Sequence, residues 1–304
     1  MSEKQSKLEL IDNVGAPYKT DTPYFYEFSG DKPGPTVTIL GAVHGNEPIG
    51  VEVLEHLQVL AIQHGVQAGT LKLGIGNPTA YLQNVRGLDK NDANRFTDNP
   101  PGSNEEKCAQ NLQQELKTSD VTLDIHETIL PSEPMLIVPV LKHKYAHILK
   151  CLGIKTLHHG KGWYSPEGEA IQTDTYTAAN GGFGVTIERG WKDDPEEEKQ
   201  KIKSHIIKAL IALGIFDPEK IYLEHDVEDI DEFEQYHAYQ SIRAGKNFQW
   251  TKSYKNKELI PAGTTIAHQS GQPIILEKDS IIMFPKPQEY IKPETIVCTL
   301  TTKD

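Results

Sequence analysis

The chain has 304 residues, with 31 basic and 43 acidic side chains and a formal charge of −12. That length buries a substantial core without covalent staples, and the acidic balance argues against a nucleic-acid or anionic-membrane binder, which would show a basic face. Cys108, Cys151 and Cys298 lie far apart with no CxxC, which argues against a disulfide scaffold and against thiolate zinc.

The first ten residues, MSEKQSKLEL, lack the apolar stretch of a signal peptide. Residues 36–43 (TVTILGAV) read as a buried strand. A helix is expected over residues 48–64, with Ile49, Val53, Leu57, Leu60 and Ala61 on one face, Pro48 in its first turn and Gly65 as its cap. Residues 70–76 (TLKLGIG) form a second predicted strand, and residues 77–104 a long polar loop of the kind that usually carries function. A helix over 105–117, strands over 121–125 and 135–140, a helix over 142–152 and a strand over 184–187 follow. The apolar run at 134–141 is far short of the roughly 20 residues that span a bilayer, so a cytoplasmic protein is expected. Residues 195–213 form a long amphipathic helix with an acidic first turn.

This alternation predicts an α/β domain, a mostly parallel mixed sheet flanked by helices. Near residue 217 the texture changes. An acidic linker over 224–234 leads into short β-rich runs separated by turn signals. The expected organisation is a catalytic domain over 1–220 and a small all-β domain over 221–304.

In open α/β sheets, ligands bind beyond the carboxyl ends of the strands. There the sequence places His44-Gly45-Asn46-Glu47 after the first strand, His126 at the end of the third, and Glu188 and Arg189 at the end of the fifth. The long loop contributes Arg86, Asn94 and Arg95. Two His and one Glu can form a three-ligand zinc site with an open position, and a further Glu can serve as the base. An Arg can stabilise an oxyanion, and an Asn-Arg pair can clamp a carboxylate. The Arg count adds to this. The chain has 27 Lys but only four Arg, and three of those, Arg86, Arg95 and Arg189, fall around this one predicted cleft.

The succession VHGNE, NVRG, DANRF, LDIH and TIERG resembles the succinylglutamate desuccinylase/aspartoacylase family, relatives of the zinc carboxypeptidases. The order and spacing match over roughly residues 36–190, and AGTTIAHQSG and SIIMFPKP resemble the family's β-rich tail. The resemblance implies a zinc-carboxypeptidase-like fold, with one Zn²⁺ per chain held by His44, Glu47 and His126. It implies Glu188 as general base and acid, Arg86 as the group polarising the scissile carbonyl, and Asn94 and Arg95 as the clamp on the substrate α-carboxylate. Asp124 would act from behind a ligand.

Two positions depart from aspartoacylase-like members. Ala178 stands where those members carry a substrate-binding Arg, and Arg189-Gly190-Trp191 stands where a Gly-Pro turn is usual. Arg189 would either replace the missing contact or point into solvent. The loop after His126, from Glu127 to Pro131, also differs from desuccinylase-like members.

The expected reaction is zinc-dependent hydrolysis of the amide in a small anionic N-acyl amino acid, with N-succinylglutamate and N-acetylaspartate as leading candidates. The tail would narrow the cleft. The alternatives are a zinc carboxypeptidase acting on short peptides and a non-catalytic small-molecule binder of the same fold. A homo-oligomer is compatible with the sequence. Competing structural readings exist for individual residues. Glu188 could be an ion-pair partner, and Arg86 and Arg95 could brace the loop against Asp89, Asp92 or Asp98. His158-His159 is expected to be a solvated surface pair, and Tyr290 a packed aromatic.

Overall fold

The computed structural model describes residues 2–128 and 131–304. The first part of the chain forms strands β1 (Phe25–Ser29), β2 (Lys32–Gly41), β3 (Ala68–Ile75), β4 (Val121–Thr128), β5 (Met135–Val138), β6 (Thr156–His159) and β7 (Phe183–Trp191). Among them lie helices α1 (Glu3–Val14), α2 (Ile49–His64), α3 (Pro78–Gln83), α4 (Asn104–Leu116), α5 (Ala146–Cys151), α6 (Thr173–Ala179) and α7 (Glu196–Ala212). The tail carries β8 (Glu234–Arg243), β9 (Gln249–Trp250), β10 (Glu258–Ile260), β11 (Thr265–Gln269), β12 (Gln272–Ile275), β13 (Ser280–Met283) and β14 (Ile296–Lys303).

Eleven strands form one mixed sheet in the order β1-β3-β2-β4-β7-β5-β6-β8-β14-β13-β10. The pairs β3–β2, β2–β4, β4–β7, β5–β6 and β6–β8 are parallel, and β1 and β5 join antiparallel to β3 and β7. A small antiparallel sheet, β12-β11-β9, lies in the tail. The mostly parallel sheet with flanking helices and a C-terminal β-rich part is the expected fold. One feature was not expected: β8 pairs in parallel with β6, so β14, β13 and β10 extend the large sheet.

The core follows from the sequence. Val37 and Ile39 of β2, Leu71 and Leu73 of β3, Leu123 and Ile125 of β4, and Val185 and Ile187 of β7 are buried with Val53, Leu57, Ile206 and Leu210 of α2 and α7. Fully burying each such side chain contributes roughly 1.5–3 kcal/mol. The tail has its own apolar cluster, including Ile242, Phe248, Ile266, Ile282 and Leu300. The start of α2 is pressed against the end of β2, backbone to backbone. A Cβ on Gly50 would lie 2.6 Å from the Cα of Gly41. Gly65, at φ +73°, ends α2 as expected.

Local elements differ in places. The loop over 77–104 contains α3, begun by Asn77 accepting from the backbone N–H of Ala80 and by Pro78 in the first turn. The expected helix over 142–152 is a 3₁₀ turn, His143–Tyr145, followed by the short α5. Helices α1 and α6 and strands β1 and β6 were not expected. In α1 only Leu8 and Ile11 are buried, and in α6 the buried residues are Thr173, Asp174, Thr175 and Thr177, so neither presents an apolar stripe.

Candidate active site

Strands β2, β4 and β7 are adjacent and parallel, so their carboxyl ends open on one edge of the sheet. The chain leaves β2 through Ala42, whose φ of +48° is unusual for a residue with a side chain. The carbonyl of Ala42 accepts from the backbone N–H of Asn77 at 2.8 Å, which holds this turn and delivers His44 to the edge. Glu47 follows one turn later, just before α2. His126 stands near the end of β4.

These three residues are 4 %, 2 % and 2 % exposed, and their donor atoms converge. His44 Nδ1 lies 2.9 Å from Glu47 Oε1, His126 Nδ1 lies 2.8 Å from Glu47 Oε2, and the two Nδ1 atoms are 3.0 Å apart. Ligands about 2.0–2.2 Å from a tetrahedral zinc ion lie roughly 3.3–3.6 Å from one another, so these donors would spread by about half an ångström to take such an ion. With carboxylates beside both Nε2 atoms, each ring is drawn to carry its proton there, which leaves the two Nδ1 lone pairs and the Glu47 carboxylate facing one another, an arrangement that a bound cation relieves. A proton can bridge only one such pair, whereas a divalent ion accepts all three lone pairs. The far nitrogens are also backed by carboxylates. Asp92 Oδ1 is 3.1 Å from His44 Nε2, and Asp124 Oδ2 is 2.9 Å from His126 Nε2. A carboxylate behind a ligating ring fixes its orientation and raises its basicity: Asp92 does so for His44 through a hydrogen bond, while Asp124 lies beside the His126 ring. Burial pushes the Glu47 carboxyl up, but the imidazoles of His44 and His126 reverse this and hold it well below the usual carboxylate range. Among the described residues no other His, Cys, Asp or Glu group could hold a metal in this way.

Glu188 is the Cα partner of His126 in the β4–β7 ladder. Burial raises its carboxyl above the ordinary value, with Glu47 adding to the rise and His126, His44 and Arg86 opposing it. Arg86 comes from the loop after α3. Its side chain is 45 % exposed, with Nη1 3.4 Å from Glu47 Oε1 and Nη2 3.1 Å from Asp92 Oδ2. Bracing against Asp92 and placement at the candidate ligand Glu47 thus occur together. Glu105, at the start of α4, holds the loop by accepting from Leu88 N–H at 2.7 Å and Asn77 Nδ2 at 3.1 Å.

Asn94 is buried, and its Oδ1 accepts from the backbone N–H of Thr173 at the start of α6 at 3.0 Å. Arg95 is partly buried, and its Nη1 donates to the Asn94 carbonyl at 3.1 Å. Burial lowers the Arg95 pKa, with Asp92 opposing and Arg86 adding to the fall.

Two residues near this cluster were not singled out by the sequence reading. Asp92 was considered only as a loop brace, yet it also holds His44. Lys286, in the connection between β13 and β14, is near enough to Arg95, Asp92 and Arg86 to feel their charges. Burial and the nearby Arg95 and Arg86 push its ammonium down to about 8 against the pull of Asp92. Its only local signal is a Lys between two prolines, which reads as a turn.

Other expectations are corrected by the structure. Arg189 neither points into solvent nor faces a ligand: it is 5 % exposed and paired with Glu127 and Asp194. The loop after His126 includes residues 129 and 130, which lie outside the described residues. His158 and His159 are not a solvated pair. His158 is 1 % exposed and stacked on Tyr236, because β6 is an interior strand, while His159 Nε2 lies 2.7 Å from Asp304 Oδ2. Tyr290 is 60 % exposed rather than packed, because it ends a surface 3₁₀ turn. Among the described residues no helix is long and apolar enough to cross a membrane.

Comparison with known proteins gives concordant results. The family model for the succinylglutamate desuccinylase/aspartoacylase catalytic domain matches residues 33–213. No curated protein matches. Among solved structures, the chain is similar to a succinylglutamate desuccinylase from Vibrio parahaemolyticus (TM-score 0.70, 15 % identity, covering 92 % of this chain and 86 % of that one). It is similar to one from Chromobacterium violaceum (0.66, 20 %, 93 % and 89 %) and to the product-bound ectoine utilization protein EutE (DoeB) from Ruegeria pomeroyi (0.57, 18 %, 91 % and 88 %). At these identities the structural likeness speaks for the fold.

Proposed function

Because the chain belongs to the succinylglutamate desuccinylase/aspartoacylase family, we propose that it is a zinc-dependent amidohydrolase acting on a small N-acyl acidic amino acid. The products are a carboxylic acid and the free amino acid, with N-succinylglutamate and N-acetylaspartate as leading substrates. The observation that carries this reading is the convergence of His44, Glu47 and His126 within 3.0 Å, with Glu188 directly across from His126.

His44, Glu47 and His126 would hold the ion. When bound, zinc supplies Lewis acidity at the open side of these three ligands. Glu188 takes the proton from the attacking water and returns it to the leaving amine. A carboxyl raised by burial suits this exchange, since it is basic enough to accept a proton and acidic enough to give it back. Arg86 lies where a guanidinium can stabilise negative charge developing on the carbonyl oxygen. The Asn94 amide nitrogen and Arg95 take the α-carboxylate by charge-assisted hydrogen bonds. Lys286, with Arg86 and Arg95, places three cationic side chains among the carboxylates near the candidate ligands, which would favour an anionic substrate.

The proposal also divides the chain at 1–220 and 221–304, with the tail narrowing the cleft. The tail's own apolar cluster supports this division, while the β6–β8 pairing and the packing of Met135, Ile137 and Trp163 with Ala238 and Met283 tie the two parts together. The experiment is a screen of acetyl-, succinyl- and formyl-amino acids for amine release by zinc-loaded protein. Release from N-acyl aspartate or glutamate is expected. Efficient release of C-terminal residues from long peptides instead would overturn the reading.

A further inference from the structure

The residues that follow two of the site residues form a buried ion pair. Glu127 follows His126, and Arg189 follows Glu188. They are 3 % and 5 % exposed. Arg189 Nη2 lies 3.1 Å from Glu127 Oε1 and also donates to the carbonyl of Trp191, while Nη1 lies 3.3 Å from Asp194 Oδ2. The other carboxylate oxygen of Glu127, Oε2, accepts from the backbone N–H of Ile49 at 3.0 Å, the first residue of α2. A helix N-terminus offers unpaired N–H groups and a positive dipole end, so a carboxylate is well placed there. The backbone N–H of Glu127 in turn donates to Glu47 Oε2 at 3.3 Å.

The backbone of β7 is shaped for this pairing. His126 pairs with Glu188, but Thr128 pairs with Trp191, so β7 has one extra residue across this step. Such a bulge re-aims a side chain. Gly190, at φ +120°, supplies the conformation the bulge needs, and a side chain there would be strained.

We propose that Glu127 and Arg189 are positioning residues, a buried clasp that fixes the turn carrying His44 and Glu47, the end of β4 carrying His126, and the end of β7 carrying Glu188 relative to one another. One carboxylate touches the α2 end of the first segment, belongs to the second and is paired to the third. The clasp accounts for Arg189 without a substrate contact. The inference rests on the assignment of His44, Glu47 and His126 as metal ligands.

The test measures zinc retention by chelator competition, alongside thermal unfolding without metal, for the full chain and three sets of variants. Arg189→Met leaves the Glu127 charge buried and unpaired, so it is expected to lose stability and to hold zinc roughly 10- to 100-fold more weakly. The double variant Glu127→Met with Arg189→Met removes both charges. It is expected to recover stability but still to bind zinc at least about 10-fold more weakly than the parent. Arg189→Lys keeps the charge and remains measurable if the Met variants do not fold, and it is expected to bind zinc with affinity between the parent and Arg189→Met. A double variant that holds zinc as tightly as the parent overturns the clasp. So does Arg189→Lys with parental affinity where the Met variants cannot be measured. His126→Ala serves as the separate control. Loss of zinc there with parental binding in the clasp variants leaves the metal site standing and removes only the clasp. A parent that binds no zinc overturns both.

Discussion

His126 and Glu188 are direct partners across the parallel β4–β7 ladder, so a candidate metal ligand and the candidate base are set by the register of two core strands. Such residues inherit the rigidity of the sheet, which is a sound foundation for a catalytic constellation. The remaining candidate ligands, His44 and Glu47, depend on how α2 meets β2, and that contact is equally constrained.

Gly50→Ala tests the contact. The new methyl would sit 2.6 Å from the Cα of Gly41, where only backbone can give way. The expected cost is about 1–3 kcal/mol, read as a lower urea midpoint with unchanged slope. Zinc affinity should fall as well, because Glu47 precedes this helix by two residues. A variant as stable as the parent would show that α2 can shift freely.

Glu115 of α4 makes a stability prediction away from the site. It accepts from Thr22 Oγ1 at 2.5 Å and Lys72 Nζ at 2.8 Å. Burial raises its carboxyl, but the Lys72 and Thr22 hydrogen bonds outweigh this and the net shift is downward from 4.5. A folded-state value depressed below the unfolded one contributes stability that is present above the unfolded pKa and lost as pH falls through the folded value. Glu115→Gln should therefore cost about 1–3 kcal/mol at neutral pH, and the gap between variant and parent should close below pH 4.5. Urea midpoints across that range check it, and a gap constant with pH would contradict it.

Much of this was legible in the sequence because the signals are local. His44 and Glu47 are three residues apart at a strand-to-helix turn, and His126 and Glu188 end apolar strands. Asp124 precedes His126 by two, on the same face of the strand. What was not legible depends on distant packing. Asp92 reaches His44 only because the loop folds back under Glu105. Lys286 arrives from the tail; it lies in the family-like stretch SIIMFPKP, but a Lys between two prolines reads only as a turn. The Glu127–Arg189 pair requires the β4–β7 register and a bulge. Helix α6 escaped notice because buried Thr and Asp side chains, rather than an apolar stripe, face its surroundings.

Lys286 gives a pH prediction. Its ammonium, pushed down to about 8 from 10.5, is charged below that pH and neutral above it. Attraction for a dianionic substrate should thus be present at pH 7 and fade through about 8. KM for the N-acyl dicarboxylic substrate should rise several-fold between pH 7 and pH 9 with little change in kcat. Lys286→Arg should abolish that rise, because a guanidinium stays charged, and Lys286→Met should raise KM already at pH 7. An identical pH profile in the Arg variant would remove Lys286 from substrate binding.

Metal binding should appear as stability. A ligand that binds only the folded state stabilises it by RT ln(1 + [L]/Kd), about 2.7 kcal/mol at a hundredfold excess over Kd. Zinc should raise the thermal midpoint of the parent and chelator should lower it again. His126→Ala should show no response to either. A zinc-induced rise of equal size in His126→Ala would place the ion elsewhere.

The central claim is tested most directly by Glu188→Gln, with amine release from N-succinylglutamate and N-acetylaspartate and bound zinc measured in the same preparation. The parent should carry one zinc per chain and release amine from at least one of these substrates. The variant should keep the zinc and bind substrate while turnover falls about 10²- to 10⁴-fold. Unchanged turnover in the variant, or no amine release by zinc-loaded parent protein, would contradict the account.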